Sequence, residues 1–290
     1  MLCGMTDHRV TTKSRTLGAA LRDAREERGL KLRELAGQLS LDPSRLSKWE
    51  LGKQIPKDTV VAQILTHLGI AGERYDEIVG LTSNASAGQW LAVSLPEQRQ
   101  HLAALLDLEQ HADTIVTVSP LLIPGLLQDS GYVRAIMSAG ELPADEISTR
   151  VAVRLGRRDA ITRRECPARL RAFVGEAALR QIIGSRAVMV QQLQHLAQEA
   201  ERDNVEIRVV PFDTGHHPGL EGPFTLIDPR EDQGMGAVVH IENRRSGLFL
   251  QGDEDVVTYR HAVDTVAQVA MSLTDSIRLI ATITDEMRTG

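Results

Sequence analysis

The sequence predicts an all-α N-terminal domain of five helices, followed by a larger mixed α/β domain with a small sheet. Apolar residues recur at intervals of three and four positions through residues 16–80, a pattern typical of short amphipathic helices. Residues 81–88 are small and polar, as in a linker between domains. Residues 89–290 mix helical patterns with β-branched and alternating runs, which predicts helices packed around a sheet.

The N-terminal helices are marked by their start and stop residues. Residues 1–15 are polar and aperiodic, so we expect a flexible arm there. The first helix is expected at 16–28, because Gly29 is suited to end it. The others are expected in three places: two within 31–52, one at 57–68 and one at 72–79.

The stretch 31–52, KLRELAGQLSLDPSRLSKWELG, is the most informative part of the chain. Its first helix has four apolar residues on one face: Leu32, Leu35, Ala36 and Leu39. Asp42 and Pro43 are the residue types preferred at the N-cap and first position of a helix. In the second helix Leu46 and Trp49 point inward, and the outward residues are polar or cationic: Ser44, Arg45, Ser47 and Lys48. Such a helix, held by a preceding one, is suited to the major groove of DNA.

The charge distribution supports this interpretation, although the net charge of −6 does not. Residues 9–57 hold twelve Lys or Arg against six Asp or Glu, which leaves +6 locally and −12 in the rest of the chain. Only charges within about 10 Å act strongly on a phosphate at ordinary ionic strength. A basic module on an acidic protein can therefore still bind DNA.

The candidate DNA contacts fall into two groups. The outward residues of the second helix are the main candidates, since Arg can bond guanine bidentately and Ser and Lys commonly hold phosphates. Five further cations are candidates for the DNA backbone: Arg22, Lys31, Arg33, Lys53 and Lys57. The alternative is a solvated polar face on a helical protein-interaction domain, with each of these five cations an ordinary surface charge.

The second domain is predicted to combine six strands with several helices. The strands are expected at 115–119, 169–176, 205–211, 222–227, 236–242 and 247–250. The helices are expected at 95–111, 130–139, 144–163, 176–183, 186–202, 253–270 and 274–287. Residues 90–93 are interpreted as one further turn of helix.

The sequence favours no catalytic, cofactor or metal site. His216 and His217 are adjacent, and adjacent side chains in a strand or turn point apart, so a glycine-rich turn is the better interpretation. Three glutamates could serve as paired carboxylates, but nothing determines their separation: Glu176, Glu221 and Glu242. No nucleophile or nucleotide-binding motif is present, so we expect no enzymatic activity.

The remaining composition points to the cytoplasm. No run of 18 apolar residues and no secretion signal is present. Cys3 and Cys166 are far apart and support neither a zinc site nor a disulfide framework, which fits a reducing compartment.

Residues from Leu17 to about Leu68, LGAALRDAREERGLKLRELAGQLSLDPSRLSKWELGKQIP and beyond, resemble the phage-repressor-like (XRE-type) helix-turn-helix domains. The sequence departs from that pattern in three places. Ser40 replaces the usual turn glycine, Leu32 replaces a glutamine that commonly contacts phosphate, and residues 49–52 read Trp-Glu-Leu-Gly instead of Ile-Glu-Asn-Gly. Lys31 and Arg33 stand beside Leu32 and could supply the missing phosphate contact.

Residues from about Leu108 to Ile280 resemble the C-terminal domain of many actinobacterial regulators of this type. The motifs that carry the resemblance are IPGLLQDSGYVRAIM, VGEAALRQIIGSRAVMVQQLQHL, NVEIRVVPFDTGHHPGLEGPFTLID, VVHIEN and SLTDSIRLI. The resemblance implies a DNA-binding regulator, and many such proteins are antitoxin-like, paired with a small protein encoded beside them.

The sequence therefore predicts a cytoplasmic, sequence-specific, DNA-binding transcriptional regulator. Residues 16–80 bind an operator in double-stranded DNA, and residues 89–290 serve dimerisation, a small partner protein or an effector. A homodimer is expected because two half-sites strengthen binding. Two alternatives stay open: a repressor released by a small molecule, and an antitoxin-type interaction protein that touches DNA only to regulate its own gene.

Overall fold

The computed structural model describes residues 10–140, 143–244 and 246–289, without the side chain of Ala144. The chain divides into two compact units. The first contains the chain up to Leu108, together with Glu231–Gly236 and Asn243–Gly252. The second contains Glu109–Arg230, Ala237–Glu242 and the chain from Asp253 onward.

The first unit begins with the five helices that the sequence predicts, which confirms the fold class of this part of the chain. They are α1 (Thr12–Glu27), α2 (Leu32–Gln38), α3 (Pro43–Glu50), α4 (Asp58–His67) and α5 (Glu73–Gly80). Their shared core is aliphatic apart from one tryptophan, and its fully or nearly fully buried members include Leu17, Leu21, Leu35, Leu46, Trp49, Ile64 and Leu65. Burial of such side chains, at roughly 25 cal/mol per Å² of apolar surface, is the main term that stabilises the bundle.

The predicted arm over residues 1–15 is wrong at its C-terminal end. Helix α1 starts at Thr12, four residues before the predicted start, and residues 1–9 lie outside the described part of the chain. A reciprocal capping box explains the early start: the Thr11 side chain accepts from the Ser14 backbone N–H, and the Ser14 hydroxyl accepts from that of Thr11. Both residues are buried.

The residues after α5 form turns that are part of the first unit. The stretch 81–88, predicted as a linker, buries Leu81 and Ala85, and the Thr11 hydroxyl donates to the Ala85 carbonyl. Strand β1 (Gln89–Ala92) follows, and then α6 (Leu95–Gln110).

The interpretation of residues 90–93 as a turn of helix is wrong, because β1 is a strand. It pairs antiparallel with β7 (Ser246–Leu250), so that Trp90 lies opposite Phe249. The His101 ring of α6 stacks on Phe249 with ring centroids 3.8 Å apart, and its centroid lies 5.3 Å from that of Trp90. A four-residue segment carries too little periodicity to distinguish strand from helix, and its pairing partner lies far away in the sequence.

In its described residues, the second unit contains five strands in the order β6-β5-β2-β3-β4. They are β2 (Ala112–Ser119), β3 (Arg169–Gly175), β4 (Val205–Val210), β5 (Phe224–Pro229) and β6 (Val238–Asn243). Strands β2, β3 and β4 are parallel, whereas β5 is antiparallel to both β2 and β6. Toward their C-terminal ends, β2, β3 and β4 bury consecutive residues, as in strands covered on both faces. The mixed α/β class predicted for this part is confirmed.

Seven helices accompany these strands in the described residues. They are α7 (Ser130–Ser138), α8 (Ala144–Gly156), α9 (Asp159–Thr162), α10 (Glu176–Arg180), α11 (Arg186–Glu199), α12 (Asp253–Val269) and α13 (Leu273–Thr289). The single helix predicted at 144–163 is wrong, because it breaks between α8 and α9. No single described helix is long and apolar enough to cross a membrane; α12 and α13 reach that length and composition only together, across a 69° bend.

Candidate nucleic-acid interface

Helices α2 and α3 are joined by a tight turn whose geometry follows from its residues. Leu39 closes α2, and the Leu41 N–H donates to the Ala36 carbonyl at 2.8 Å. Ser40 adopts a left-handed conformation with φ of 54°. This conformation costs a non-glycine residue roughly 1–2 kcal/mol, which explains why glycine is the usual residue at such a turn.

The start of α3 is stabilised by the predicted cap. An Asp42 carboxylate oxygen accepts from the backbone N–H groups of Ser44 and Arg45, at 2.6 and 3.3 Å. Pro43 occupies the first helical position. Gly52, with φ of 67°, follows the other end of α3, and a Cβ there would lie 2.8 Å from the Arg15 backbone. Start and stop signals therefore confine α3 to eight residues, about 12 Å long.

The two faces of α3 differ as the sequence predicts. Leu46 is fully buried and Trp49 is 3% exposed. On the opposite face, Ser44, Arg45 and Lys48 are exposed, and Ser47 is half-buried between the two faces. An α-helix with its side chains is about 10–12 Å across and fits a major groove about 12 Å wide, and the outer face of α3 carries the polar and cationic groups suited to that groove.

Arg45 is partly ordered by its own helix. Its guanidinium carbon lies 5.2 Å from the centroid of the Trp49 ring, one helical turn further along α3. Such a cation–π contact is worth roughly 0.5–1 kcal/mol at an exposed site. The contact limits the conformations that the exposed side chain adopts.

A buried ion pair holds α3 against α1. The Arg25 guanidinium donates from Nε and Nη2 to the two carboxylate oxygens of Glu50, both at 2.7 Å, and from Nη1 to the Leu30 carbonyl at 2.8 Å. Arg25 is 7% exposed and Glu50 4%. The hydrogen bonds that Arg25 donates to Glu50 raise the pKa of Arg25. In the sequence, Arg25 and Glu50 are two of many charged residues, and no local pattern indicates that these two are buried.

Backbone contacts complete the junction between α1 and α3. Gly18 lies so close to α3 that a Cβ there would be 2.5 Å from the Trp49 carbonyl oxygen and 2.7 Å from that of Glu50. Arg22 Nη2 donates to this Glu50 carbonyl at 3.0 Å, and the Ser14 hydroxyl donates to that of Gly52 at 2.9 Å. Arg22, a candidate DNA contact, is thus half-buried and bound to the end of α3.

The structure separates the basic residues of 9–57 into two sets. Five are used within the first unit: Arg22 and Arg25 as above, Arg15 on Asp107 at 2.9 Å, Arg28 on the Leu68 carbonyl, and Lys13 on the Ser83 carbonyl. The other set is exposed, and within the described residues its members form no ion pair: Lys31, Arg33, Arg45, Lys48, Lys53 and Lys57. In the exposed set, Arg33 lies on α2, Arg45 and Lys48 lie on α3, and the other members lie in the segments that flank these two helices: Lys31, Lys53 and Lys57. Arg9 lies outside the described residues.

Two family models match the chain. A helix-turn-helix domain matches residues 16–78, the part that contains α1 to α5. A domain of unknown function, DUF5753, matches residues 102–282, more than half of the chain. The chain belongs to the DUF5753 family. The comparison with curated proteins found no match. The helix-turn-helix match makes this DUF5753 protein a DNA-binding regulator, while the DUF5753 domain itself carries no assigned role.

The DUF5753 domain holds the histidines and glutamates that the sequence offers as candidates for metal binding or acid–base chemistry. His216 is exposed and His217 buried, and among the described residues no three His, Cys, Asp or Glu side chains gather as metal ligands. The Glu176 carboxylate accepts from Arg180 Nε at 2.7 Å and from the Phe212 N–H at 3.3 Å.

A buried ion pair and a buried histidine lie elsewhere in the DUF5753 domain. Arg157 binds the Glu109 carboxylate through two hydrogen bonds, at 2.7 and 2.9 Å, and both side chains are largely buried. Burial, together with the positive charge of Arg157, lowers the pKa of His240 to about 4. His240 is therefore neutral near pH 7 in the folded protein.

Proposed function

We propose that this protein is a sequence-specific transcriptional regulator of the phage-repressor-like (XRE) type, with α3 as its recognition helix. The observation that carries the proposal is the two-faced α3: an apolar face fixed in the helical core and a polar, cationic face exposed to solvent. A reading helix has to present its side chains from a rigid support, and the Arg25–Glu50 pair and the close approach at Gly18 supply one.

The candidate residues take different roles in this proposal. Arg45 reads a base, because a guanidinium can bond both guanine acceptors of the major groove, which is worth roughly 1–3 kcal/mol of discrimination. Ser44, Ser47 and Lys48 hold phosphate or base edges near the same point. Four exposed cations bind the phosphates of the DNA backbone: Lys31, Arg33, Lys53 and Lys57. Arg22 orients α3 instead of touching DNA.

The larger unit is proposed to supply dimerisation and control. A dimer would place two copies of α3 on successive half-sites, about 34–36 Å apart, and raise the affinity without new contacts. An antitoxin-like pairing with a small protein encoded next to this one fits the same scheme. These roles require binding only, so the proposal includes no catalytic step and no cofactor.

The test is selection of operators from random duplex DNA by the full chain and by Arg45→Ala. We expect the wild-type chain to enrich one motif with two related half-sites, and Arg45→Ala to lose preference at one or two base pairs in each half-site. Arg278→Ala is the control, since Arg278 is a comparably exposed arginine of α13, with 71% of its side chain accessible.

Three outcomes are informative. Enrichment of no motif by the wild-type chain contradicts sequence-specific binding. An equal loss of affinity for all sequences in Arg45→Ala contradicts base reading by this residue. A motif with a single half-site contradicts the proposed dimer.

A further inference from the structure

An apolar cavity of about 220 Å³ lies in the second unit at the carboxyl ends of β2, β3 and β4. Each of these parallel strands contributes its last residues or the residues just after it, including Pro120, Gly175 and Pro211. Strand β2 has a parallel neighbour on one side and an antiparallel neighbour on the other. In open sheets with parallel strands, ligands bind in the crevice outside the carboxyl ends of the strands.

The walls of this cavity are aliphatic and aromatic, and so is its rim. Val118 and Phe173 are buried in the wall. At the mouth, three large apolar side chains are exposed to solvent: Leu121 and Phe212 at 66%, and Leu220 at 60%. A cluster of exposed apolar side chains around a concave site is typical of a binding surface.

One polar side chain of the lining has an unmet hydrogen bond. Glu176 is bound by Arg180 and the Phe212 N–H, and the Thr214 hydroxyl donates to the Pro211 carbonyl. The imidazole of His217 is only 5% exposed, and its buried Nδ1 has no partner among the described residues. An unpaired buried polar atom costs roughly 1–3 kcal/mol, and a ligand group that reaches this nitrogen would recover part of that cost.

The surroundings of His217 indicate a neutral ligand. Burial lowers the pKa of His217, and the neighbouring His216 lowers it further, so the ring is neutral near pH 7. The carboxylate of Glu176 is balanced by Arg180. An anion would meet this carboxylate, and a cation would lose its hydration against apolar walls.

The size of the cavity limits the ligand to a small molecule. A cavity of about 150 Å³ holds benzene, so 220 Å³ accommodates one ring with a substituent. A hydroxyl group both donates and accepts, and can therefore pair with either tautomer of His217.

We propose that this cavity binds a small neutral ring compound that carries a hydroxyl group, with the ring among the apolar side chains and the hydroxyl bonded to His217. Its use as an effector site rests on the DNA-binding function proposed above. Binding of the ligand to the cavity does not depend on that function, and it is measured without DNA.

The experiment is a ¹⁹F NMR titration of the full chain with 4-fluorophenol and 4-fluorotoluene, which differ only in a hydroxyl or a methyl group. We expect the phenol to bind at least tenfold more tightly. In His217→Phe this preference should fall below threefold, whereas the control His216→Phe, one residue away and exposed, should keep it. Ala177→Leu, which fills part of the cavity, should weaken both probes at least fivefold. Circular dichroism of each variant establishes that it is folded.

Several results would overturn the proposal. Equal affinity for both probes in the wild-type chain would exclude the hydrogen bond. Phenol binding that survives both His217→Phe and Ala177→Leu would place the probe elsewhere. Binding of neither probe would overturn the small-molecule site and leave the rim of Leu121, Phe212 and Leu220 to an apolar segment of a protein partner.

The effector role is tested separately, with the selected operator. A lower operator affinity in the presence of 4-fluorophenol supports it, and an unchanged affinity at saturating probe refutes it. Failure of the probe-free chain to bind any operator refutes the DNA-binding function instead, so the two failures are distinguishable.

Discussion

Replacing Glu50 by Gln should destabilise the helical part of the first unit by about 3 kcal/mol. The change keeps the side-chain volume but removes the negative charge, and it turns an N–H₂ group toward the guanidinium of Arg25. Glu50 is 4% exposed and receives two hydrogen bonds of 2.7 Å. Removing one partner of such a buried pair costs roughly 3–5 kcal/mol, because the other charge stays buried without compensation. Gln keeps one oxygen that can accept a hydrogen bond from Arg25, so the expected loss of stability lies at the lower end of that range.

The assay is urea unfolding of the full chain, followed by Trp49 fluorescence in a Trp90→Phe background. Trp49 lies on α3 one residue before Glu50 and is 3% exposed, so it reports the part of the chain that the pair supports. With an m-value of roughly 1–3 kcal/mol/M, the midpoint should fall by about 1 M or more. At intermediate urea concentrations, the loss of operator binding should follow the unfolded fraction.

A surface ion pair in the same unit provides the control. Glu73 accepts from Arg99 at 3.2 Å, and both side chains are about 70% exposed. Glu73→Gln should cost less than about 1 kcal/mol, since exposed pairs contribute little. A loss of stability below about 1 kcal/mol in Glu50→Gln, or an equal loss in both variants, would show that burial does not make the Arg25–Glu50 pair more important than an exposed pair.

Three further predictions follow from the structure. Gly18→Ala should destabilise the helical bundle by about 1–3 kcal/mol in the same unfolding assay, because its Cβ would meet the α3 backbone, whereas Gly37→Ala, with open space around it, should stabilise by up to about 1 kcal/mol. Lys53→Ala should reduce the slope of log affinity against log salt by about 0.9 in operator titrations; an unchanged slope would remove Lys53 from the footprint. The pKa of His240 is lower in the folded protein than in the unfolded chain, so the unfolded chain binds the proton first as the pH falls. The free energy of unfolding of the second unit should therefore be constant above about pH 6.5 and fall by roughly 3 kcal/mol toward pH 4. His240→Gln should flatten this pH dependence in thermal unfolding, whereas the exposed His261→Gln should not.

Much of the fold could be predicted because local chemistry specifies it. The cap at Asp42, the stop at Gly52 and the inward pair Leu46 and Trp49 each depend on residues within one or two helical turns, and the structure confirms all of them. The six strands expected in the second domain were also found, because β-branched runs between turn residues are a strong local signal.

Other features depend on partners that are distant in the sequence. Strand β1 exists through its pairing with β7, more than 150 residues later. Arg15, Arg22 and Arg25 all lie on α1 and look alike in the sequence, yet they bind Asp107, the Glu50 carbonyl and the Glu50 carboxylate. Which cation stays exposed is therefore decided by packing.

By itself, the sequence determined that this protein carries a helix-turn-helix domain, where helix α3 of that domain begins and ends, and that a mixed α/β domain follows. Those features arise from periodicity, capping and turn chemistry, which act between near neighbours. Only the tertiary structure decided which charges support α3 and which face solvent, and only it placed His217 beside an apolar cavity at the ends of three strands. The physical reason is that burial and hydrogen-bond satisfaction depend on every group that surrounds a residue, and most of those groups come from distant parts of the chain.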